Sequence, residues 1–250
     1  MTTTSKKLSK TLALLAATAA FASSGWAATI TLSLNEGSNG NGLGGGSYTA
    51  SGSGLSTAGY AAISHPGSAA AGTFQTFCLE YSEHFTPGTV YNYSIGNAAT
   101  LGGVSGATNG ADPISLGTAW LYSQFAAGSL AGYDYGAGRK ASNTSLQLAI
   151  WFLENETSGI SGYSSYGTPG QNVFLDAAFA KFGSASSARA DANGAYGVQV
   201  LNLTKGQTHA QSQLYASAPI RVPDTGATVV LFGLTLAGLL GIKRKLARTT

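Results

Sequence analysis

The chain has 250 residues, of which 35 are Gly and only 9% are charged, and its formal net charge is +3 at pH 7. Glycine is therefore about twice as common as its usual share of roughly 7%. Three His, one Cys and dispersed carboxylates, with no helix-spaced ligand pair, exclude a recognisable metal site, so we predict no metal and no cofactor.

The first 27 residues have the three parts of a secretory signal peptide. Lys6, Lys7 and Lys10 precede an apolar segment at 12–21, and small residues follow up to Ala27. This order is typical of a leader that is cleaved after export. We therefore expect cleavage after Ala27 and an exported domain over residues 28–221.

The exported domain begins with strand patterns and a glycine-rich segment. Apolar residues alternate at Ile30, Leu32 and Leu34, and a second alternation covers 91–95, as expected of half-buried strands. Further strands are predicted at 74–79 and 198–203. Residues 37–54 are close to low complexity, which indicates a flexible surface loop.

Helices are predicted over 115–127, 143–156 and 171–182. Ser115 and Thr144 are candidate N-caps, and Gly128 and Gly159 are candidate terminators. The second helix is apolar nearly all round and should be buried. Strands before and after these helices indicate an α+β domain, a β-sandwich or sheet with a helical insertion.

The C-terminal segment, 222–250, has a motif, an apolar run and a basic end. The apolar run at 227–242 has 16 residues. As a helix it spans about 24 Å, against roughly 30 Å for the hydrocarbon core of a bilayer. We therefore predict a short transmembrane helix that is a marginal permanent anchor, with the basic end left in the cytoplasm. A plain tail anchor is the alternative. The motif consists of Val222, Pro223, Asp224, Thr225 and Gly226.

This arrangement resembles the C-terminal sorting signals of bacterial envelope proteins, and most closely the VPDSG or PEP-CTERM type. Thr225 stands where one form of that family has Ser. The resemblance implies recognition by an exosortase-type membrane cysteine protease. A sortase is the lesser alternative, because Val222 departs from the leading Leu of sortase substrates. In either case the tail is expected to be removed or exchanged at the cell surface.

Processing would reverse the sign of the net charge. Seven of the 13 Lys and Arg lie at the two ends, up to Lys10 and from Lys243 onward. All 10 acids, including Asp224 of the motif, lie between these cations, which leaves 6 cations and 10 acids. A nucleic-acid interface needs a clustered basic face. Only the pair Arg139 and Lys140 offers one, so we predict no nucleic-acid partner. Asp134, Glu154 and Glu156 are expected to be solvated.

Cys78 and Gln147 are the candidate chemical pair. An exported chain with one Cys has no internal disulfide, so the thiol is either a buried small hydrophobe or reactive. Gln147 lies in the most hydrophobic helix, where an unpaired amide costs about 1–3 kcal/mol. Its amide either hydrogen-bonds to a neighbouring strand or is attacked by the Cys78 thiolate. The second route releases ammonia and leaves a thioester.

Phe77 and Cys78, together with the segment from Gln147 to Trp151, are similar to the paired motif of bacterial surface thioester domains. Leu79 and Leu146 depart from the residues common beside that motif. The resemblance implies a covalent bond to a surface amine, a hydroxyl group or an exopolysaccharide. The internal crosslink would close a loop of about 70 residues and stabilise by roughly 4 kcal/mol. His84 would be its base, or else an exposed His at the end of a strand.

We therefore expect an exported envelope protein with a non-enzymatic, covalently adhesive role. The alternative is a structural matrix or exopolysaccharide-associated protein whose Cys78 and Gln147 only pack. A cysteine-dependent hydrolase is a minor alternative, because His65, His84 and His209 lie in no recognisable signature. Tyr133 and Tyr135, with two further loop tyrosines, either form a carbohydrate-stacking surface or fold back on the core.

Overall fold

A computed structural model describes residues 28–34, 47–55, 73–157 and 168–217. The predicted signal peptide, the sorting segment at 222–250 and most of the glycine-rich segment lie outside these ranges. No helix among the described residues is long and apolar enough to cross a membrane. The predicted transmembrane helix at 227–242 lies outside them.

The described strands form one six-stranded antiparallel sheet and one two-stranded sheet. The order in the large sheet is β3-β2-β1-β4-β7-β8. The strands are β1 (Thr29–Leu34), β2 (Tyr48–Gly52), β3 (Thr73–Thr76), β4 (Val90–Gly96), β5 (Ala98–Ala99), β6 (Asp112–Pro113), β7 (Val198–Lys205) and β8 (Thr208–Ala216). Strands β5 and β6 pair with each other.

The two outer strands of the large sheet meet just after β3. Cys78 forms an antiparallel bridge with Gln213 of β8. On either side of it, the Leu79 N–H donates to the Ser212 carbonyl and the Leu214 N–H donates to the Phe77 carbonyl, each at 3.1 Å. The six strands therefore close into a ring, which removes the unpaired edges that an open sheet would present at this point.

In the described part of the chain between β6 and β7, four α-helices are inserted. They are α1 (Leu116–Ala126), α2 (Arg139–Leu153), α3 (Val173–Phe182) and α4 (Ala185–Ala188), and a 3₁₀ turn at Ala195–Gly197 leads into β7. The Ser115 hydroxyl accepts from the Thr118 N–H at 3.2 Å, so the predicted cap of α1 is confirmed. Helix α3 ends at Gly183, whose φ of 80° is the left-handed conformation that favours glycine.

Aromatic side chains join the helices to the ring of strands. Phe77 and Phe125 of α1 meet edge to face, with ring centroids 5.0 Å apart. The buried Tyr122 hydroxyl donates to the Gln75 carbonyl at 2.8 Å. Trp151 of α2 is also buried and is among the largest buried side chains. The core therefore lies between the helical insertion and the sheet.

The predicted sheet with a helical insertion is confirmed: the helices lie between strands, and the described strands form a six-stranded and a two-stranded antiparallel sheet. The prediction of a loop throughout 37–54 was wrong for Tyr48–Gly52, because β2 pairs there with β1 on one side and β3 on the other. Helix α2 begins at Arg139, so Thr144 is not its cap. The Thr144 hydroxyl donates instead to the Lys140 carbonyl, one turn earlier in the helix.

We expect the Asn172→Ala substitution to lower the free energy of unfolding by about 2 kcal/mol. The Asn172 Oδ1 accepts from the Phe174 and Leu175 N–H groups, and its Nδ2 donates to the Ser145 carbonyl at 2.8 Å. The substitution removes a helix cap and a link between α3 and α2. Urea unfolding measures the change. The control is Ser184→Ala at the cap of the short α4, where less than about 1 kcal/mol is expected.

Candidate functional site

Cys78 lies where the ring of strands closes. Its side chain is fully buried, and Gln213 lies opposite it on β8. The Gln213 Nε2 lies 3.5 Å from the Cys78 sulfur and donates a hydrogen bond to it. In this bridge the hydrogen bonds to β8 are made by Phe77 and Leu79, the residues on either side. The N–H and carbonyl of Cys78 itself therefore point away from β8.

Gln147 of α2 pairs with those two backbone groups. The Cys78 N–H donates to the Gln147 Oε1 at 3.1 Å, and the Gln147 Nε2 donates to the Cys78 carbonyl at 2.7 Å. The side-chain amide thus takes the place of a neighbouring strand. Two explanations were considered for the buried Gln147. The structure shows the first of them, hydrogen bonding to a strand. The same contact brings the two residues of the predicted pair together.

The Cys78 thiol is protonated at neutral pH. Burial raises the pKa of the thiol to about 12; the hydrogen bond from Gln213 lowers the pKa, and the nearby Glu80 carboxylate raises it. The thiolate is the nucleophilic form of cysteine. Any reaction of the Cys78 sulfur therefore requires a group that removes its proton.

Glu80 is a buried carboxyl close to Cys78 that the sequence analysis did not single out. Its Oε2 accepts from the Ser212 N–H at 3.0 Å, and its Oε1 has no hydrogen-bond partner among the described residues. Burial, followed by the charge of Glu83, raises its pKa from the usual 4.5 to about 8. The sequence could have pointed to Glu80 through its position two residues after Cys78, since alternate residues of an extended segment share a face.

Glu154 and Glu156 are buried, so the expectation that they are solvated was wrong. The Glu154 Oε1 accepts from the Ser115 hydroxyl at 2.8 Å, and burial raises its pKa to about 7. Glu156 accepts from the backbone N–H groups of Tyr81, Val104 and Ser105. Both carboxylates lie in the turn after α2, where they hold backbone groups of other segments. Asp134 is exposed, as expected.

The histidines and tyrosines have other surroundings. His84 and His209 are exposed, and no hydrogen bond joins either of them to Cys78; His65 lies outside the described residues. Tyr133 is buried and Tyr135 is half-buried, and both rings lie against Phe125 at centroid distances of 5.0 and 6.1 Å. These two tyrosines thus fold back on the core and do not form an exposed stacking surface.

Comparison with known protein families identifies the C-terminal segment. Residues 221–246 match the VPDSG-CTERM motif. This segment is a VPDSG-CTERM sorting signal. The VPDSG-CTERM match contains the predicted motif at 222–226 and the apolar run that follows it. No curated protein and no solved structure matches the chain.

The VPDSG-CTERM signal marks an exported, envelope-associated protein that is sorted at its C-terminus. It is consistent with processing by a membrane transpeptidase of the exosortase type, the first of the two expected processing enzymes. The match covers the tail, and the domain at 28–221 lies almost entirely outside it. What that domain does must therefore be argued from its own residues.

We expect Glu80→Gln to flatten the dependence of stability on pH. Because the pKa of Glu80 is raised in the folded state, the folded protein binds more protons than the unfolded chain between about pH 4.5 and pH 8. The contribution of Glu80 to the free energy of unfolding therefore falls as pH rises through this range. The variant lacks this contribution, so its stability relative to the wild type should increase towards pH 8.

Urea unfolding of both proteins at several pH values between about 5 and 8 measures this difference. Asp134→Asn is the control, because it removes one carboxylate from an exposed position. Equal flattening by the two substitutions would show that overall charge, and not the burial of Glu80, sets the slope.

Proposed function

We propose that the exported domain is a non-enzymatic surface module that attaches covalently through a thioester between Cys78 and Gln147. The observation that supports this proposal is the pairing of the Gln147 amide with the backbone N–H and carbonyl of Cys78. Two hydrogen bonds to one residue hold the carboxamide against the Cα that carries the thiol. The sorting signal would deliver this module to the envelope.

The crosslinking step requires no external oxidant or energy source. The Cys78 thiol loses its proton, its sulfur bonds to the Gln147 Cδ, and the bond from Cδ to Nε2 breaks. The nitrogen takes up the proton and leaves as ammonia. Glu80 is close enough to Cys78 to raise the pKa of the thiol. A carboxyl that titrates near neutral pH is suited to accept the proton of the thiol and to supply one to the leaving nitrogen.

The resulting bond would act both as a crosslink and as a reactive group. It would join two residues 69 positions apart and stabilise the fold by roughly 4 kcal/mol. Burial of Cys78 would shield the acyl carbon from water. After local opening, an amine or hydroxyl group of a partner would take the acyl group of Gln147 and release the thiol. The partner would be a surface protein or an exopolysaccharide.

A non-covalent structural protein of the extracellular matrix is the second candidate. It is favoured by the two hydrogen bonds that the Gln147 amide makes to the backbone of Cys78 and by the high pKa of the buried thiol. In this case Gln147 satisfies the backbone of Cys78 and Cys78 fills space. We do not propose a cysteine hydrolase, because no hydrogen bond joins Cys78 to His84 or His209, the two described histidines.

The mass of the intact domain, residues 28–221, tests the thioester. We expect the wild type to be lighter than its sequence by one ammonia, and the missing mass to be replaced when methylamine is added. Cys78→Ala and Gln147→Glu should show neither effect. Gln171→Glu is the matched control, since it makes the same change at an exposed glutamine and should keep the deficit. A full-length mass with an unreactive buried thiol would favour the structural protein.

The free energy of unfolding independently distinguishes the thioester module from the non-covalent structural protein. Without a crosslink, Cys78→Ala should lower the free energy of unfolding by only about 1 kcal/mol, because a small buried side chain is trimmed. If the wild type contains the crosslink, Cys78→Ala should lower the free energy of unfolding by roughly 4 kcal/mol more. Gln147→Ala should cost about 3 kcal/mol even without a crosslink, because two buried backbone groups of Cys78 lose their partners. Urea unfolding of the three proteins measures these differences.

A further inference from the structure

A cleft opens on the surface beside the β7–β8 hairpin. Its volume is about 320 Å³, near the lower end of the roughly 300–1,000 Å³ usual for small-ligand sites. Two chain segments that are far apart in sequence form its walls. The lining includes His84, Phe85, Tyr91, Lys205, Thr208 and His209, and we call it the His84–His209 cleft.

The polar groups of the cleft are mainly hydrogen-bond donors and cations. Lys205 offers three N–H donors, and each of the two histidines offers at least one in either protonation state. No Asp or Glu lines the cleft. Glu83, the residue before His84, interacts electrostatically with His209 and accepts from the Gly103 N–H at 3.1 Å. A ligand with a negative charge and several acceptor oxygens therefore suits this cleft.

One side of the cleft is aromatic and fixed in place. The Phe85 ring packs edge to face on Tyr48, with centroids 4.7 Å apart. The Tyr91 hydroxyl accepts from the Thr86 N–H at 2.8 Å. An apolar wall beside polar donors fits a ligand that has a hydrocarbon face and polar edges. A pyranose ring has both, and a sugar acid adds the carboxylate that Lys205 would bind.

Strand β8 contributes to the cleft and also pairs with Cys78, but the buried Cys78–Gln147 pair does not line the cleft. The Gln211 N–H of β8 donates to the His84 carbonyl at 3.3 Å, which fixes the two walls to each other. Cys78 and Gln147 are fully buried and do not line the cleft. Occupancy of the cleft therefore requires no thioester.

We propose that the His84–His209 cleft binds an acidic saccharide, a hexuronate unit such as occurs in acidic polysaccharides. Lys205 binds the carboxylate, the histidines and Thr208 donate to ring and hydroxyl oxygens, and Phe85 supports the apolar face of the sugar. This activity is a reversible recognition function, separate from covalent attachment. An envelope-associated protein would thereby hold a polysaccharide matrix without reacting with it.

Calorimetric titration of the exported, processed protein with a galacturonic acid tetramer tests this proposal. We expect Lys205→Ala to weaken binding about three- to tenfold, through loss of a charge-assisted hydrogen bond in an exposed site. Lys181→Ala, the same change at an exposed lysine of α3, should leave the affinity unchanged. His84→Ala provides a second variant within the cleft and should also weaken binding.

Two control ligands and one further variant define the results that would contradict the proposal. Maltotetraose, an uncharged tetramer, should bind at least tenfold more weakly than the acidic tetramer. Inorganic phosphate that binds as tightly as the acidic sugar would overturn saccharide recognition and leave a general anion site. Absence of binding, or equal binding by Lys205→Ala, would overturn the proposal altogether. Cys78→Ala should retain full binding, so failure of the thioester proposal does not affect this test.

Discussion

The two hydrogen bonds between the Gln147 amide and the backbone of Cys78 are the constraint on which the rest of the domain depends. Cys78 lies where β3 and β8 close the ring of strands, and its N–H and carbonyl have no strand beside them on the other side. Gln147 supplies both missing partners from α2. One side chain thus fixes the helical insertion to the closure of the sheet, and any chemistry of the thiol begins from this contact.

Buried carboxyl side chains likewise hold backbone groups of other segments elsewhere in the domain. In a chain with 9% charged residues, Glu80, Glu154 and Glu156 are held inside, where they accept from backbone N–H groups. Glu156 thereby fixes the loop at Val104, and Glu80 links its own segment to Ser212 of β8. Burial raises the pKa values of Glu80 and Glu154 towards neutral pH. Stability should consequently be greatest on the acidic side of neutrality.

The VPDSG-CTERM signal and the exported domain provide different information about function. The signal determines that the protein is exported and sorted at its C-terminus. The domain supplies two separate features, a buried Cys78–Gln147 pair and an exposed cleft containing His84, His209 and Lys205. We propose that the pair forms a permanent bond and that the cleft binds reversibly.

The sequence by itself determined the sorting signal, helices α1, α2 and α3, strands β1, β3, β4 and β7 with approximate bounds, and Cys78 and Gln147 as a candidate pair. The signal and the elements depend on local order, that is, on a motif before an apolar run and on side-chain periodicity. The pair depends on the single Cys of the chain, a Gln in an apolar helix 69 residues later, and a resemblance to a two-part motif. Strand β8 was not predicted, because its last six residues are buried on both faces and include Gln211 and Gln213, so no alternation is visible. Strand β2 was assigned to a loop, since only its pairing with β1 and β3 makes a glycine-rich segment extended. The tertiary structure also decided the burial of Glu80 and the cleft, because both arise from segments more than 100 residues apart that only folding brings together.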